Sequence, residues 1–218
     1  MGIGDPLLAW LRSYLTDRYL FVSVHGSSST IFSPTSGVPQ GALLSPLLFS
    51  LFINSASSLL HNAKLLIFTD DIKLYLHINS ISDCYLLQDD LLRLVAWGES
   101  LGLFMNIPKC AVFTFTRSRS PLIFPYKINN IHIKPAGDSI RDLGFTFTRN
   151  LSPVKHIQLI CCQAFKLLGF ILRTSRDFQL TPSLKSLYCA LVRPILEYGW
   201  ILWDPPTAYA SIGRTSAQ

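Results

Sequence analysis

Two carboxylates stand side by side at Asp70 and Asp71, between the apolar runs Leu65–Phe68 and Ile72–Leu76. Runs of this length separated by turn residues fold back on each other as a hairpin, which puts the pair at its tip. Adjacent carboxylates repel, each disfavouring the ionised form of the other, so a cation is their natural partner. Oxygen donors suit a hard divalent ion, and Mg²⁺ is usually held by one or two carboxylates together with substrate phosphates. The pair alone does not establish a site, because Asp is a common turn residue. The chain also carries a second pair, Asp89-Asp90, within a helical pattern and expected to face water. Context has to decide.

With 218 residues, 49% of them hydrophobic, the chain can hold one good core or two small subdomains. A mean hydropathy of +0.34 raises the question of a membrane. No Asp, Glu, Lys or Arg occurs between Arg18 and Lys64, yet the most apolar part, Ala42–Ile53, has 12 residues and contains Pro46. A spanning helix needs about 20 apolar residues. The segment reads instead as a buried helix, and no membrane partner is expected. Charge is uneven: residues 1–108 carry 5 basic and 8 acidic side chains, net −3, and residues 109–218 carry 14 and 5, net +9. That asymmetry points to a polyanionic partner for the second half. The five cysteines show no zinc-type spacing with the five histidines. Their odd number and the lack of a signal-peptide pattern imply a reducing intracellular compartment, cytoplasmic and/or nuclear, for a protein that is not secreted.

Periodicity supplies the elements. Asp5-Pro6 reads as an N-cap and first-turn proline before an amphipathic helix over Leu7–Leu15. Tyr19–His25 alternates as a strand, with a second through Ile31 and Phe32. Ser45-Pro46 opens a helix to about Leu60 whose apolar residues surround it, so burial on most sides is expected. After the aspartate hairpin, Ser82 caps a helix with Leu87, Leu91, Leu94 and Val95 on one stripe, ending near Gly98 or Gly102. Strands follow at Ala111–Thr116 and Tyr126–Ile133, the latter folded at Asn129-Asn130. Ser152-Pro153 opens a long helix with Ile157, Ile160, Ala164, Leu167 and Ile171 inside. Lys155, Lys166 and Arg173 are 11 and 18 residues apart, close to whole turns at about 3.6 residues each, and form a basic stripe. Thr181-Pro182 starts another helix, which Pro194 should kink or end.

The order of motifs resembles one family. Gly37-Val38-Pro39-Gln40-Gly41, then L-L-S-P-L-L-F-S-L-F-I-N from Leu43 to Asn54, then Phe68-Thr69-Asp70-Asp71, is similar to the palm of non-LTR (LINE-type) retrotransposon reverse transcriptases. The likeness continues through Asn106 and Lys109, Asp142-Leu143-Gly144, and Leu191-Val192-Arg193-Pro194-Ile195-Leu196-Glu197-Tyr198. It runs from about Gly4 to Pro205.

The resemblance implies an α+β fold: a partial right-hand polymerase palm over residues 1–150, a helical thumb over 151–205, and a divergent tail at 206–218. It implies RNA-directed DNA polymerisation, with RNA template, DNA primer and dNTP as partners and Mg²⁺ or Mn²⁺ as cofactor in a complete site. Two-metal nucleotidyl transfer needs ions about 3.5–4 Å apart. By resemblance Asp70 is the direct metal ligand and Asp71 assists, both being catalytic. Phe68 packs under the primer end, and Thr69 replaces a small alanine. Gly37, Pro39, Gln40 and Gly41 form the loop that lines the nucleotide pocket and contacts the template base. Lys109 lies near the triphosphate, and Lys155, Lys166 and Arg173 meet the nucleic-acid backbone. The family's first catalytic aspartate belongs to an upstream strand, and only Asp5 and Asp17 precede Asp70 here. The chain therefore resembles a truncated copy, expected to be inactive alone or to complete a site with another polymerase chain. The competing reading is a non-catalytic basic nucleic-acid-binding remnant.

Overall fold

The computed structural model describes residues 4–175 and 181–203. The tail at 206–218 lies outside the described residues. Helix and strand are mixed along the chain, an α+β composition, and the chain divides into two compact units, Met1–Met105 and Asn106–Gln218.

The first unit opens with α1, Asp5–Leu15. Its N-cap is Gly4 rather than Asp5, which instead lies in the first turn. There its charge still suits the partial positive end of the helix. The expected pair of strands shrinks to β1, Ser23–Val24, and β2, Ser27–Ser28, with one further bridge between Leu20 and Phe32. His25 and Gly26 both have positive φ, the pattern of a type I′ turn that suits strand twist. Helix α2, Ser45–Ile53, continues as a 3₁₀ turn over Asn54–Leu59. The expectation that it would be buried on most sides fails: Ser45, Ile53 and Ala56 are buried, but Leu47 is 55% exposed and Phe52 43%. Its all-round apolar surface exceeds what one neighbour can cover.

The hairpin pairs β3, Lys64–Phe68, with β4, Asp71–Tyr75, in antiparallel register. Helix α3, Ile81–Ser100, packs on β4 and the 3₁₀ turn, and Cys84, Leu94 and Val95 join Ile53 and Ala56 in the core. Its cap is Ser80 rather than Ser82. Asp83 accepts hydrogen bonds from the Ser80 N–H at 2.8 Å and from its hydroxyl at 3.1 Å, and the Ser80 side-chain oxygen in turn accepts the Asp83 backbone N–H. The Asn79 N–H, which also donates to this carboxylate at 2.8 Å, and the Ser80 N–H hold the Asp83 carboxyl below its ordinary value. This reciprocal capping box was readable as Ser-x-x-acid, two residues earlier than expected.

In the second unit, β5, Ala111–Val112, pairs in parallel with β8, Lys134–Pro135. The fold at Asn129-Asn130 is present: β6, Lys127–Ile128, and β7, Ile131–His132, flank two residues with positive φ. A second hairpin, β9 (Ser139–Asp142) with β10 (Phe145–Thr148), turns at Leu143-Gly144 in the same way. Helix α4, Val154–Thr174, lays Ile160, Ala164 and Ile171 into the core, as its periodicity required. By length and composition alone it could cross a membrane, but Ala164 and Ile171 of this line pack with Val192, Leu184 and Leu196. The following helix does not stop at Pro194. It runs as α5, Thr181–Leu187, a π-helical stretch over Tyr188–Val192, and α6, Arg193–Glu197. In that stretch the Arg193 N–H reaches the Tyr188 carbonyl, five residues back. Proline carries no N–H and its ring crowds the carbonyl four residues before it, so the widened turn lets the helix pass.

Candidate active-site hairpin and template loop

The β3–β4 register opposes Phe68 to Asp71 and leaves Thr69-Asp70 as a two-residue turn. Thr69 has φ 52° and Asp70 is not among the residues of positive φ, the pattern of a type II′ turn. Glycine usually fills that first position, so a β-branched residue there is strained, at a typical cost of about 1–3 kcal/mol. The Thr69 hydroxyl donates to Asp70 Oδ1 at 2.9 Å. The methyl and hydroxyl at position 69 therefore touch the site directly: one strains the turn and the other occupies a carboxylate oxygen.

Leu65, Ile67, Ile72 and Leu74 are half-buried and give the hairpin its inner face. Phe68, Asp70 and Asp71 are all exposed at the tip. Phe68 and Asp71 are direct cross-strand partners, so their side chains share one face of the sheet. An apolar ring beside a carboxylate is a surface that can seat a sugar or base while an oxygen donor reaches for a cation. In kind, two aspartates fit a hard divalent ion; in number, they fall short of an octahedral shell. Among the described residues no group of three His, Cys, Asp or Glu side chains is assembled to hold a metal.

The loop Gly37–Gly41 precedes α2. Gly37 and Gly41 have φ 81° and 82°, a left-handed backbone that a side chain would disfavour. Pro39 lies between them, and its carbonyl accepts the hydroxyl of buried Ser45. Gln40 is exposed at the crest. On the other side, Arg18 donates to the Gly37 carbonyl at 2.7 Å and the Ser36 carbonyl at 3.4 Å.

Asp90 overturns the water-facing expectation for the second acidic pair. Asp89 is exposed and paired with Arg93 at 2.6 Å, but Asp90 is 0% exposed. Its carboxylate accepts the backbone N–H groups of His61 (3.1 Å), Asn62 (2.8 Å) and Ala63 (2.7 Å), and Arg93 Nη1 lies at 3.2 Å. Burial pushes this carboxyl up, but the Ala63, Asn62 and His61 donors and the Arg93 charge outweigh it, so its pKa lies below the ordinary value. The segment it holds leads directly into β3. The signal was present in the sequence: position 90 falls on the α3 face that also carries Leu87 and Leu94, whereas position 89 lies about 100° away.

The remaining candidates belong to the second unit. Lys109 ends a 3₁₀ turn, Ile107–Lys109, and is exposed. Lys155, Lys166 and Arg173 are exposed on α4, and Lys155 Nζ donates to Ser139 Oγ at 2.6 Å. The same helix buries His156, which sequence reasoning passed over. Its Nδ1 accepts the Thr146 N–H at 3.3 Å and its ring packs 5.3 Å from Phe145. Burial lowers its pKa, and its Nε2 has no hydrogen-bond partner. Two stretches of the family-like pattern meet in this unit: the Tyr198 hydroxyl donates to the Leu143 carbonyl at 3.0 Å, and its ring stacks on Phe145 at 5.1 Å.

The sequence pattern of the family described as reverse transcriptase (RNA-dependent DNA polymerase) matches residues 1–172. The probable RNA-directed DNA polymerase from transposon BS of Drosophila melanogaster is 29% identical over 210 residues, covering 91% of this chain and 23% of that protein. The probable RNA-directed DNA polymerase from transposon X-element of the same organism is 27% identical over 207 residues, covering 91% and 22%. The RNA-directed DNA polymerase from mobile element jockey of Drosophila melanogaster is 27% identical over 201 residues, covering 87% and 22%. The chain thus spans between a fifth and a quarter of the length of these relatives. No solved structure matches it.

Proposed function

Because the chain belongs to the reverse transcriptase (RNA-dependent DNA polymerase) family, we propose that it supplies the carboxylate hairpin and template loop of an RNA-directed DNA polymerase. The family uses divalent metal ions. One observation carries the proposal: Asp70 and Asp71 are presented at an exposed hairpin tip with Phe68 on the face of Asp71. Asp70 and Asp71 would hold Mg²⁺ or Mn²⁺ in a complete site. When bound, such an ion activates the primer 3′-hydroxyl and offsets the triphosphate charge. Phe68 seats the primer terminus, and Gln40, raised between Gly37 and Gly41, meets the template base and the incoming nucleotide. Lys109 offsets charge on the leaving pyrophosphate. In this reading residues 1–150 act as palm and 151–205 as thumb, and a further carboxylate must reach the hairpin tip before catalysis.

The test is primer extension on an RNA template by the 218-residue chain with Mg²⁺ or Mn²⁺. No extension is expected from the chain alone, while Mn²⁺ should broaden the resonances of Asp70 and Asp71 once primer–template and dNTP are added. Template-dependent incorporation abolished in Asp70→Ala would overturn the need for a further carboxylate. Absence of broadening in the ternary mixture would overturn the metal assignment.

The basic face of α4 carries a separate expectation. Nucleic-acid binding should be sequence-independent and fall steeply with salt, because each neutralised phosphate releases counterions. Replacing Lys155, Lys166 and Arg173 by Gln should reduce the log–log salt slope by about 2–3. An unchanged slope in a filter-binding titration would make these three residues an ordinary solvated face.

A further inference from the structure

We propose that Arg18 is a positioning residue for the Gln40 loop, tying it to the end of α1 so that the side chain of Gln40 is presented in one orientation. What Gln40 touches rests on the polymerase reading above; the anchor itself does not.

The local backbone is built for this reach. Helix α1 ends at Leu15, and Thr16 closes it by giving both its N–H (3.0 Å) and its hydroxyl (2.9 Å) to the Arg12 carbonyl. Asp17 then takes φ 53°, a left-handed turn that Asp tolerates better than most residues. The chain reverses at that residue, and Arg18 folds back under the helix. Its Nε donates to the Leu15 carbonyl at 3.0 Å, and its Nη2 to the Gly37 carbonyl at 2.7 Å and the Ser36 carbonyl at 3.4 Å. One planar guanidinium thus satisfies a helix end and grips a loop 18–19 residues away. These three acceptors are all backbone carbonyls, so the side chain reads the path of the chain rather than another side chain. Lysine, a point charge without the planar fork, cannot hold both ends at once.

The loop needs such a restraint. Its two glycines leave the backbone free to rotate at both ends, and residues Ser36, Gly37 and Gln40 are exposed. From the α2 side the Ser45 hydroxyl holds the Pro39 carbonyl. Arg18 supplies the matching hold before Val38. The two anchored carbonyls, of Gly37 and Pro39, are separated by Val38 alone, and Gln40 follows directly on the second, which leaves little room for the crest to move. A site that selects a base has to hold its contact group in place before the base arrives. Arg18 supplies that order without touching the nucleic acid.

The experiment uses the full chain and the variants Arg18→Lys, Arg18→Ala, Gln40→Ala and the Arg18→Ala/Gln40→Ala double variant. Amide hydrogen exchange is followed across residues 36–44 and, as the internal reference, across Ile81–Ser100. Arg18→Ala should speed exchange in 36–44 by about tenfold while the helix keeps its protection, and Arg18→Lys should not restore it. Unchanged exchange in the loop, or equal loosening of the helix, would overturn the anchor. In the second arm, anisotropy reads binding of an RNA template–DNA primer with and without the next complementary dNTP. Arg18→Ala and Gln40→Ala should each weaken the dNTP-dependent part several-fold, and the double variant should be no weaker than the worse single. Additive losses would show that Arg18 does not act through Gln40. If the unmodified chain shows no dNTP-dependent binding, the polymerase reading falls, and the exchange measurement alone decides the anchor.

Discussion

Asp90→Ala is expected to destabilise the first unit by about 3–5 kcal/mol, the range for removing one member of a buried charged network. The carboxylate is 0% exposed and accepts three consecutive backbone N–H groups, from His61, Asn62 and Ala63. Alanine would leave all three without an acceptor and strand Arg93 on its inner side. Asp90→Asn keeps one acceptor oxygen and should lose less. Amide exchange of α3 under increasing urea measures both. The pH dependence has a definite sign: a carboxyl held below its ordinary value of 3.8 stabilises the fold above that pH. The contribution disappears as pH falls through the lower, folded value. Native protein and Asp90→Asn should therefore differ most at neutral pH and converge in acid. A neutral Asp90→Ala would mean that water replaces the carboxylate at no cost. Because Ala63 adjoins Lys64, the first residue of β3, loss of this clamp should also loosen the base of the aspartate hairpin.

The second large effect is expected at Gly199. It lies at φ 58°, and a Cβ there would run into Cζ of the Phe145 ring and sit 2.6 Å from its Cε1. Phe145 cannot easily retreat, because Tyr198 stacks on it and His156 packs 5.3 Å away. Gly199→Ala combines overpacking with an unfavourable backbone region and should cost about 2–4 kcal/mol. It would also pull the Tyr198 hydroxyl from the Leu143 carbonyl. Tyr198→Phe, which deletes only that hydrogen bond, should cost about 1 kcal/mol. Denaturant midpoints reported by resonances of β10 and α4 separate the two. If Gly199→Ala cost no more than Tyr198→Phe, the close approach of the chain to Phe145 would be dispensable.

Local regularities carried much of what the sequence determined. The 3.6-residue spacing of Ile160, Ala164 and Ile171 fixed the buried line of α4, and Asn129-Asn130 fixed a two-residue turn, because both depend on neighbours within a few residues. The Asp70-Asp71 tip was legible for the same reason: the runs Leu65–Phe68 and Ile72–Leu76 are three residues apart, and pairing of Phe68 with Asp71 narrows that gap to the Thr69-Asp70 turn. The order of motifs was enough to reach the family, which the match over residues 1–172 then established. Single-residue boundaries were less secure. The cap moved from Ser82 to Ser80, where Asn79, Ser80, Ser82 and Asp83 cluster, and the first cap from Asp5 to Gly4, and in both places only backbone geometry chooses the residue.

Only the tertiary structure decided which polar groups close distant contacts. Arg18 reaches Gly37 across 19 residues, Asp90 reaches Ala63 across 27, and Tyr198 reaches Leu143 across 55. Each partner is a backbone group, and backbone N–H and C=O are the same at every position, so no residue type in the sequence marks them. Burial of α2 was misjudged on similar grounds: its composition sets how apolar its surface is, but the neighbours actually present set how much of it is covered. A sequence records what each side chain prefers, whereas a long-range contact depends on what the folded chain brings within about 3 Å of it.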